Sequence, residues 1–169
     1  MVLLKRGGAG LLALLGLHNV QAAELAIGSA APKFTLPDQE SKTHTLAEYR
    51  GRWVVLYFYP KDDTPGCTTE ACNFRDDLPA LRALNVQILG ISLDDTKSHA
   101  RFADKYRLPF PLLADTEGDV ARAYGALWSI GPVRIAKRHT FVIDPDGRVA
   151  KIYRDVKPAS HSRELQQNV

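Results

Sequence analysis

The stretch Trp53-Val54-Val55-Leu56-Tyr57-Phe58-Tyr59 decides the architecture. Every side chain in it is apolar or aromatic, with no polar residue alternating between them. A strand with one wet face alternates with period two, whereas a strand covered on both faces does not. The run therefore predicts a central strand, and Pro60 ends it by removing a backbone donor. A polar loop follows from Lys61 to Gly66, punctuated by Pro65-Gly66. From Thr68 to Leu84 the residues Ala71, Phe74, Leu78, Leu81 and Leu84 fall near helical spacing. Pro79 lies inside that span and predicts a kink or a break.

Downstream, Val86 to Leu93 reads as a second buried strand, and Asp95 or Thr96 starts a helix that runs through Tyr106. Pro109 and Pro111 make a turn before Leu112-Leu113, and Asp119 to Tyr124 forms a short helix. Thr140 to Asp144 is a strand, and Pro145-Asp146-Gly147 turns it back into a partner over Arg148 to Val156. The tail from Ala159 gives a short last helix. Upstream, Phe34-Thr35-Leu36 is a strand candidate, and Thr45 caps a helical turn over Leu46 to Tyr49 that Gly51 ends. Strands alternating with helices predict an α/β fold, and the final hairpin makes the central sheet mixed, with helices on both faces.

A chain of 169 residues fits one domain, and its 45% hydrophobic content suffices for a core without disulfide staples. The first 22 residues read as a secretory signal peptide: Lys5 and Arg6, an apolar run from Gly7 to Leu17, then Val20-Gln21-Ala22 as a cleavage site. The apolar run is shorter than the roughly 20 residues of a spanning helix, so an uncleaved anchor is the lesser alternative. Cleavage after Ala22 leaves a domain over residues 23–169, exported to a compartment such as the bacterial periplasm. The formal charge of +3 then falls, because 20 basic side chains remain against 19 acidic ones. Such a balance gives no electrostatic case for nucleic acid or for stable membrane association.

Two cysteines are too few for a disulfide scaffold. Cys67 follows a strand and a loop and opens a helix. Free backbone N–H groups and partial positive charge at a helix start favour a thiolate, the nucleophilic form. Cys72 lies five positions on, with four residues between them, unlike the two of a thioredoxin-type redox motif. In an ideal helix the two Cα atoms stand about 8.6 Å apart, beyond the roughly 7 Å limit for a disulfide. Pairing therefore requires the first turns to unwind. Two inert buried cysteines, or a static disulfide, remain open at this point.

The run Tyr57-Phe58-Tyr59-Pro60-Lys61-Asp62-Asp63-Thr64-Pro65-Gly66-Cys67-Thr68-Thr69-Glu70-Ala71-Cys72 resembles a peroxiredoxin active site, in particular that of the bacterioferritin comigratory protein, or PrxQ, subfamily. The family pattern of Pro, three residues, Thr or Ser, two residues and Cys falls on Pro60, Thr64 and Cys67. Ala31 to Asp38, Gly90-Ile91-Ser92, Phe110 to Asp115 and the strand after Arg138 also match. The resemblance implies a thioredoxin-like fold and reduction of hydrogen peroxide or organic hydroperoxides, without cofactor or metal. It implies that Cys67 attacks peroxide, becomes a sulfenic acid, and is resolved by Cys72 as an intramolecular disulfide. The expected partner is thioredoxin or a thioredoxin-like reductant.

The resemblance also assigns supporting roles. Thr64 would hydrogen-bond the thiolate and the peroxide, or simply cap the helix. Pro60 would shield the pocket, or simply end the strand. Arg138 would stabilise the thiolate and the charge that develops as the O–O bond breaks, with Arg134 and Lys137 as rivals. Glu70 would orient that arginine, or serve as an ordinary first-turn acid. The four histidines beyond the leader, His44, His99, His139 and His161, show no metal-ligand spacing. Intramolecular resolution leaves a monomer or weak dimer sufficient. Leu127 to Val133 departs from the family pattern and is expected near the rim of the site. A thiol–disulfide oxidoreductase of exported proteins, or a binding module on the same scaffold, are the competing readings.

Overall fold

A computed structural model describes residues 24–169. The expected leader and its cleavage site lie outside the described residues. Five strands form the main sheet in the order β5-β4-β3-β8-β9, where β3 is Trp53–Phe58, β4 Val86–Ser92, β5 Leu112–Ala114, β8 Thr140–Ile143 and β9 Val149–Tyr153. β3 runs parallel to β4 and antiparallel to β8, so the sheet is mixed with β3 at its centre. Two small antiparallel pairs flank it: β1 (Thr35–Pro37) with β2 (Thr43–Thr45), and β6 (Leu127–Ile130) with β7 (Val133–Ala136).

The absence of alternation in β3 is explained by its two faces. Val54, Leu56 and Phe58 enter one core with Leu89, Ile91, Phe141 and Tyr124. Val55, Tyr57 and Tyr59 enter the other, with Phe74, Leu81, Ile88 and Phe102. The second core is covered by α1 (Pro65–Ala83), α2 (Thr96–Tyr106) and α4 (His161–Gln166). The first is covered by α3 (Asp119–Ala123), the 3-10 turn Leu46–Tyr49 and the amino-terminal segment. This is the thioredoxin-like α/β arrangement.

Two expectations change. The helix α1 begins at Pro65, three residues earlier than the apolar spacing indicates, with Thr64 as N-cap and Pro65 at N1. Proline suits N1, since its fixed φ is helical and its missing N–H has no role there. Pro79 does not break α1, which runs for 19 residues. Its ring points to solvent, while Phe74, Leu78 and Leu81 on the buried face pack on either side of it. That packing outweighs the roughly 3 kcal/mol an interior proline costs an exposed helix. A third feature was not foreseen: Leu127 to Ala136 forms the β6–β7 hairpin, which leaves Trp128, Ile130 and Val133 exposed.

Candidate active site

The site lies where β3 ends and α1 begins, the carboxyl edge at which open α/β sheets place reactive groups. Cys67 is the third residue of α1 and is 1% exposed. Thr68 donates its N–H to the Thr64 carbonyl, 2.8 Å away. Gly66 and Cys67 precede Thr68, the first intrahelical donor, so their N–H groups are left without an intrahelical acceptor.

Arg138 reaches this helix start from the bend just before β8. Its Nη2 donates to Cys67 Sγ at 3.2 Å, and its Nη1 donates to Glu70 Oε2. The rivals are elsewhere: Arg134 donates to the Glu117 carbonyl at 2.9 Å, and Lys137 is exposed. Burial disfavours the Arg138 charge, but Glu70 and the Cys67 sulfur more than offset this and hold its pKa above the ordinary value. Glu70, one turn from Cys67, is itself 1% exposed. Burial pushes its carboxyl up to about 7, against the opposing pull of Arg138. Of its two alternatives, Glu70 takes the one that contacts the arginine. Gly66 leaves room for this approach, because a Cβ there would sit 3.2 Å from Arg138 Nη2.

Thr64 behaves differently from expectation. Its hydroxyl donates to the Lys61 carbonyl at 2.9 Å, and no hydrogen bond joins it to Cys67 or caps the helix. The carbonyl three residues back is nearer to hand than the sulfur, so the hydroxyl closes the loop locally. Pro60 is half-buried at the end of β3. Cys72 is half-buried in the same continuous helix, and both cysteines are free thiols. Their helical separation makes a direct bond impossible without unwinding, as the spacing indicates.

The sequence reading passed over the ring of Tyr57 and the pair Asp62–His99. Tyr57 packs on Phe74 with centroids 4.8 Å apart, and Gly90 faces it across the sheet. His99 could have been found from its place on the apolar face of α2, three and four residues before Phe102 and Ala103.

Sequence and structure comparisons relate the whole domain to known proteins. Residues 27–152 match the AhpC/TSA family. The chain is 41% identical over 150 residues to peroxiredoxin Bcp of Bacillus subtilis, covering 86% of this chain and 95% of that protein. It superposes on peroxidoxin BcpB of Mycobacterium tuberculosis with a TM-score of 0.80 and 34% identity, over 85% of this chain and 96% of that one. A TM-score of 0.77 at 35% identity relates it to the bacterioferritin comigratory protein of Xanthomonas campestris, studied for alkyl peroxide reduction, over 85% and 94% of the two chains. The chain therefore belongs to the AhpC/TSA family, among the Bcp and peroxiredoxin Q proteins, and is a thiol peroxidase.

Proposed function

We propose that Cys67 is the peroxidatic residue and Cys72 the resolving one, in a cycle completed by a thioredoxin-like reductant outside the cytoplasm. The observation that carries this is the contact of Arg138 Nη2 with Cys67 Sγ at 3.2 Å. A guanidinium held against the buried sulfur places fixed positive charge beside the atom that attacks and the bond that breaks.

In the first step the Cys67 thiolate attacks one peroxide oxygen. The S–O bond forms, the O–O bond breaks, and the departing oxygen leaves as alcohol or water after taking one proton. Sulfur is oxidised to the sulfenic acid. Arg138 and the free N–H groups of Gly66 and Cys67 face the charge that moves onto the leaving oxygen. Thr64 rotates its hydroxyl away from Lys61 to meet the bound peroxide. Pro60 keeps bulk water from the sulfur. In the second step the Cys72 sulfur displaces hydroxide from the sulfenic acid, giving the disulfide and water once a proton is added. An external dithiol then returns both thiols by exchange.

Substrate classes are hydrogen peroxide and organic hydroperoxides. The leader-like residues 1–22 support export, with the periplasm as the compartment. Stopped-flow mixing of reduced protein with hydrogen peroxide tests the assignment. Cys67→Ser is expected to abolish consumption, and Cys72→Ser to complete one turnover and stop at the sulfenic acid. Undiminished consumption by Cys67→Ser overturns it.

A further inference from the structure

Asp62 stands in the loop between β3 and α1, two residues before the cap of the reactive helix. Its side chain is 4% exposed. It accepts from the Tyr59 hydroxyl at 2.7 Å and the Ser98 hydroxyl at 2.8 Å, and faces His99 Nδ1 at 2.8 Å. Its backbone N–H donates to Asp94 at 2.9 Å. His99 is fully buried on α2, and its Nε2 lies 3.2 Å from the Leu113 carbonyl on β5. Burial alone would push the Asp62 carboxyl up, but His99, Tyr59 and Ser98 outweigh it and hold the carboxyl below its ordinary value.

Neither residue hydrogen-bonds Cys67, Arg138 or Glu70, so the chemistry above makes no use of them. The neighbouring pair Asp63–Lys105 spans the same gap at 2.8 Å, but both side chains are about half exposed, and such pairs contribute little. The buried cluster is therefore the firm tie between the loop and α2.

We propose that Asp62 and His99 are positioning residues, a latch that fixes the loop before α1 and so sets the balance between peroxide attack and disulfide formation. The inference rests on the roles proposed for Cys67 and Cys72. Attack needs the helix start ordered, with sulfur, Arg138 and backbone N–H groups aligned. Resolution needs the same turns unwound. Loosening the latch therefore slows the first step and speeds the second.

Rapid quenching with thiol alkylation and mass spectrometry, after mixing reduced full-length protein with hydrogen peroxide, follows both steps in a single turnover. His99→Ala and Asp62→Ala are each expected to slow sulfenic acid formation roughly tenfold and to speed disulfide formation roughly tenfold, the scale of one lost charge-assisted hydrogen bond. Asp62→Asn is expected to restore both rates to within about threefold of wild type, because its amide keeps a hydrogen bond to the His99 ring while its oxygen accepts from Tyr59. Ser98→Ala, a half-buried change that the fold tolerates, should move both rates in the same opposed directions by about twofold to threefold, and decides the matter if the alanine variants at 62 and 99 do not fold. Val149→Ala, a core truncation on β9, should lower stability without changing the ratio of the two rates. Equal slowing of both steps, no change in either, or an Asp62→Asn variant as impaired as Asp62→Ala overturns the latch. A wild-type protein that forms no sulfenic acid at Cys67 overturns the assignment of the cysteines instead, and the latch falls with it.

Discussion

Replacing Glu70 by glutamine should change the pH dependence of stability in a calculable way. The carboxyl is 1% exposed, and Oε1 has no hydrogen-bond partner among the described residues. One guanidinium serves both this group and Cys67. Burial raises the Glu70 pKa from an ordinary 4.5 to about 7. The folded state thus keeps this proton to higher pH than the unfolded chain does. The favourable contribution is complete below about pH 4.5 and is lost as pH rises through about 7. The displacement corresponds to about 3 kcal/mol at roughly 1.4 kcal/mol per pH unit. Most of it falls between roughly pH 5 and pH 8. Glutamine has nearly the same shape, can still accept from Arg138, and never ionises. Urea unfolding of both proteins under reducing conditions across this range isolates the term, because other titrating groups cancel in the difference. Wild type should lose ground to Glu70→Gln by about 2–3 kcal/mol as pH rises. A flat difference, or wild type gaining on the variant, would mean that Arg138 keeps Glu70 ionised throughout, and the reasoning fails.

Other perturbations test the same geometry. Arg138→Lys keeps the charge but cannot meet Cys67 and Glu70 at once. Peroxide consumption in stopped flow should fall about a hundredfold with the circular dichroism spectrum unchanged. Gly66→Ala places a Cβ 3.2 Å from Arg138 Nη2, so the guanidinium must shift by a few tenths of an ångström from its place on the sulfur. That variant should react about tenfold more slowly while its urea midpoint stays near wild type. Gly90→Ala would put a Cβ 2.8 Å from the Tyr57 ring and 2.9 Å from Leu112, both fully packed. A loss of about 1–3 kcal/mol in urea unfolding is expected from such overpacking.

What the sequence made legible follows from the range of each interaction. The unalternating run in β3 identified the sheet centre, since burial on two faces leaves a local mark. Cys67 at a helix start was legible for the same reason: strand, loop and helix are consecutive. Arg138 was only one of three nearby cations in the sequence, and its choice depends on how the bend before β8 lies against α1, 71 positions away. The hydroxyl of Thr64 shows the converse limit of a local motif. A motif assigned it to the sulfur, whereas in the resting fold the adjacent Lys61 carbonyl takes its hydrogen. The start of α1 was misjudged because apolar periodicity reports the buried face, and Pro65 and Gly66 carry no apolar signal. The hairpin β6–β7 escaped because neither strand lines the main sheet. Its outward residues therefore lack the pattern that burial imposes.

In the proposed cycle the first turns of α1 carry two demands that oppose each other, and oxidation itself switches between them. Before reaction, the contact of the Cys67 sulfur with Arg138 adds to those that keep the helix wound, with Glu70 holding the arginine from the next turn. Attack converts the charged sulfur to a neutral sulfenic acid. The guanidinium then loses its anionic partner, and an added oxygen must fit where the cysteine is 1% exposed. Both changes act against the wound helix and only after the peroxide has been consumed. Unwinding before attack would separate sulfur from arginine and waste the nucleophile. Unwinding after attack brings Cys72 within reach and shields the sulfenic acid from a second peroxide. On this argument the charge on sulfur, more than any intrinsic weakness of the helix, sets the order of events. A Cys67→Asp variant, which holds a permanent anion beneath Arg138, should then show slower amide hydrogen exchange over residues 68–72 than Cys67→Ser. Equal exchange in the two variants would mean that the helix opens without regard to the charge.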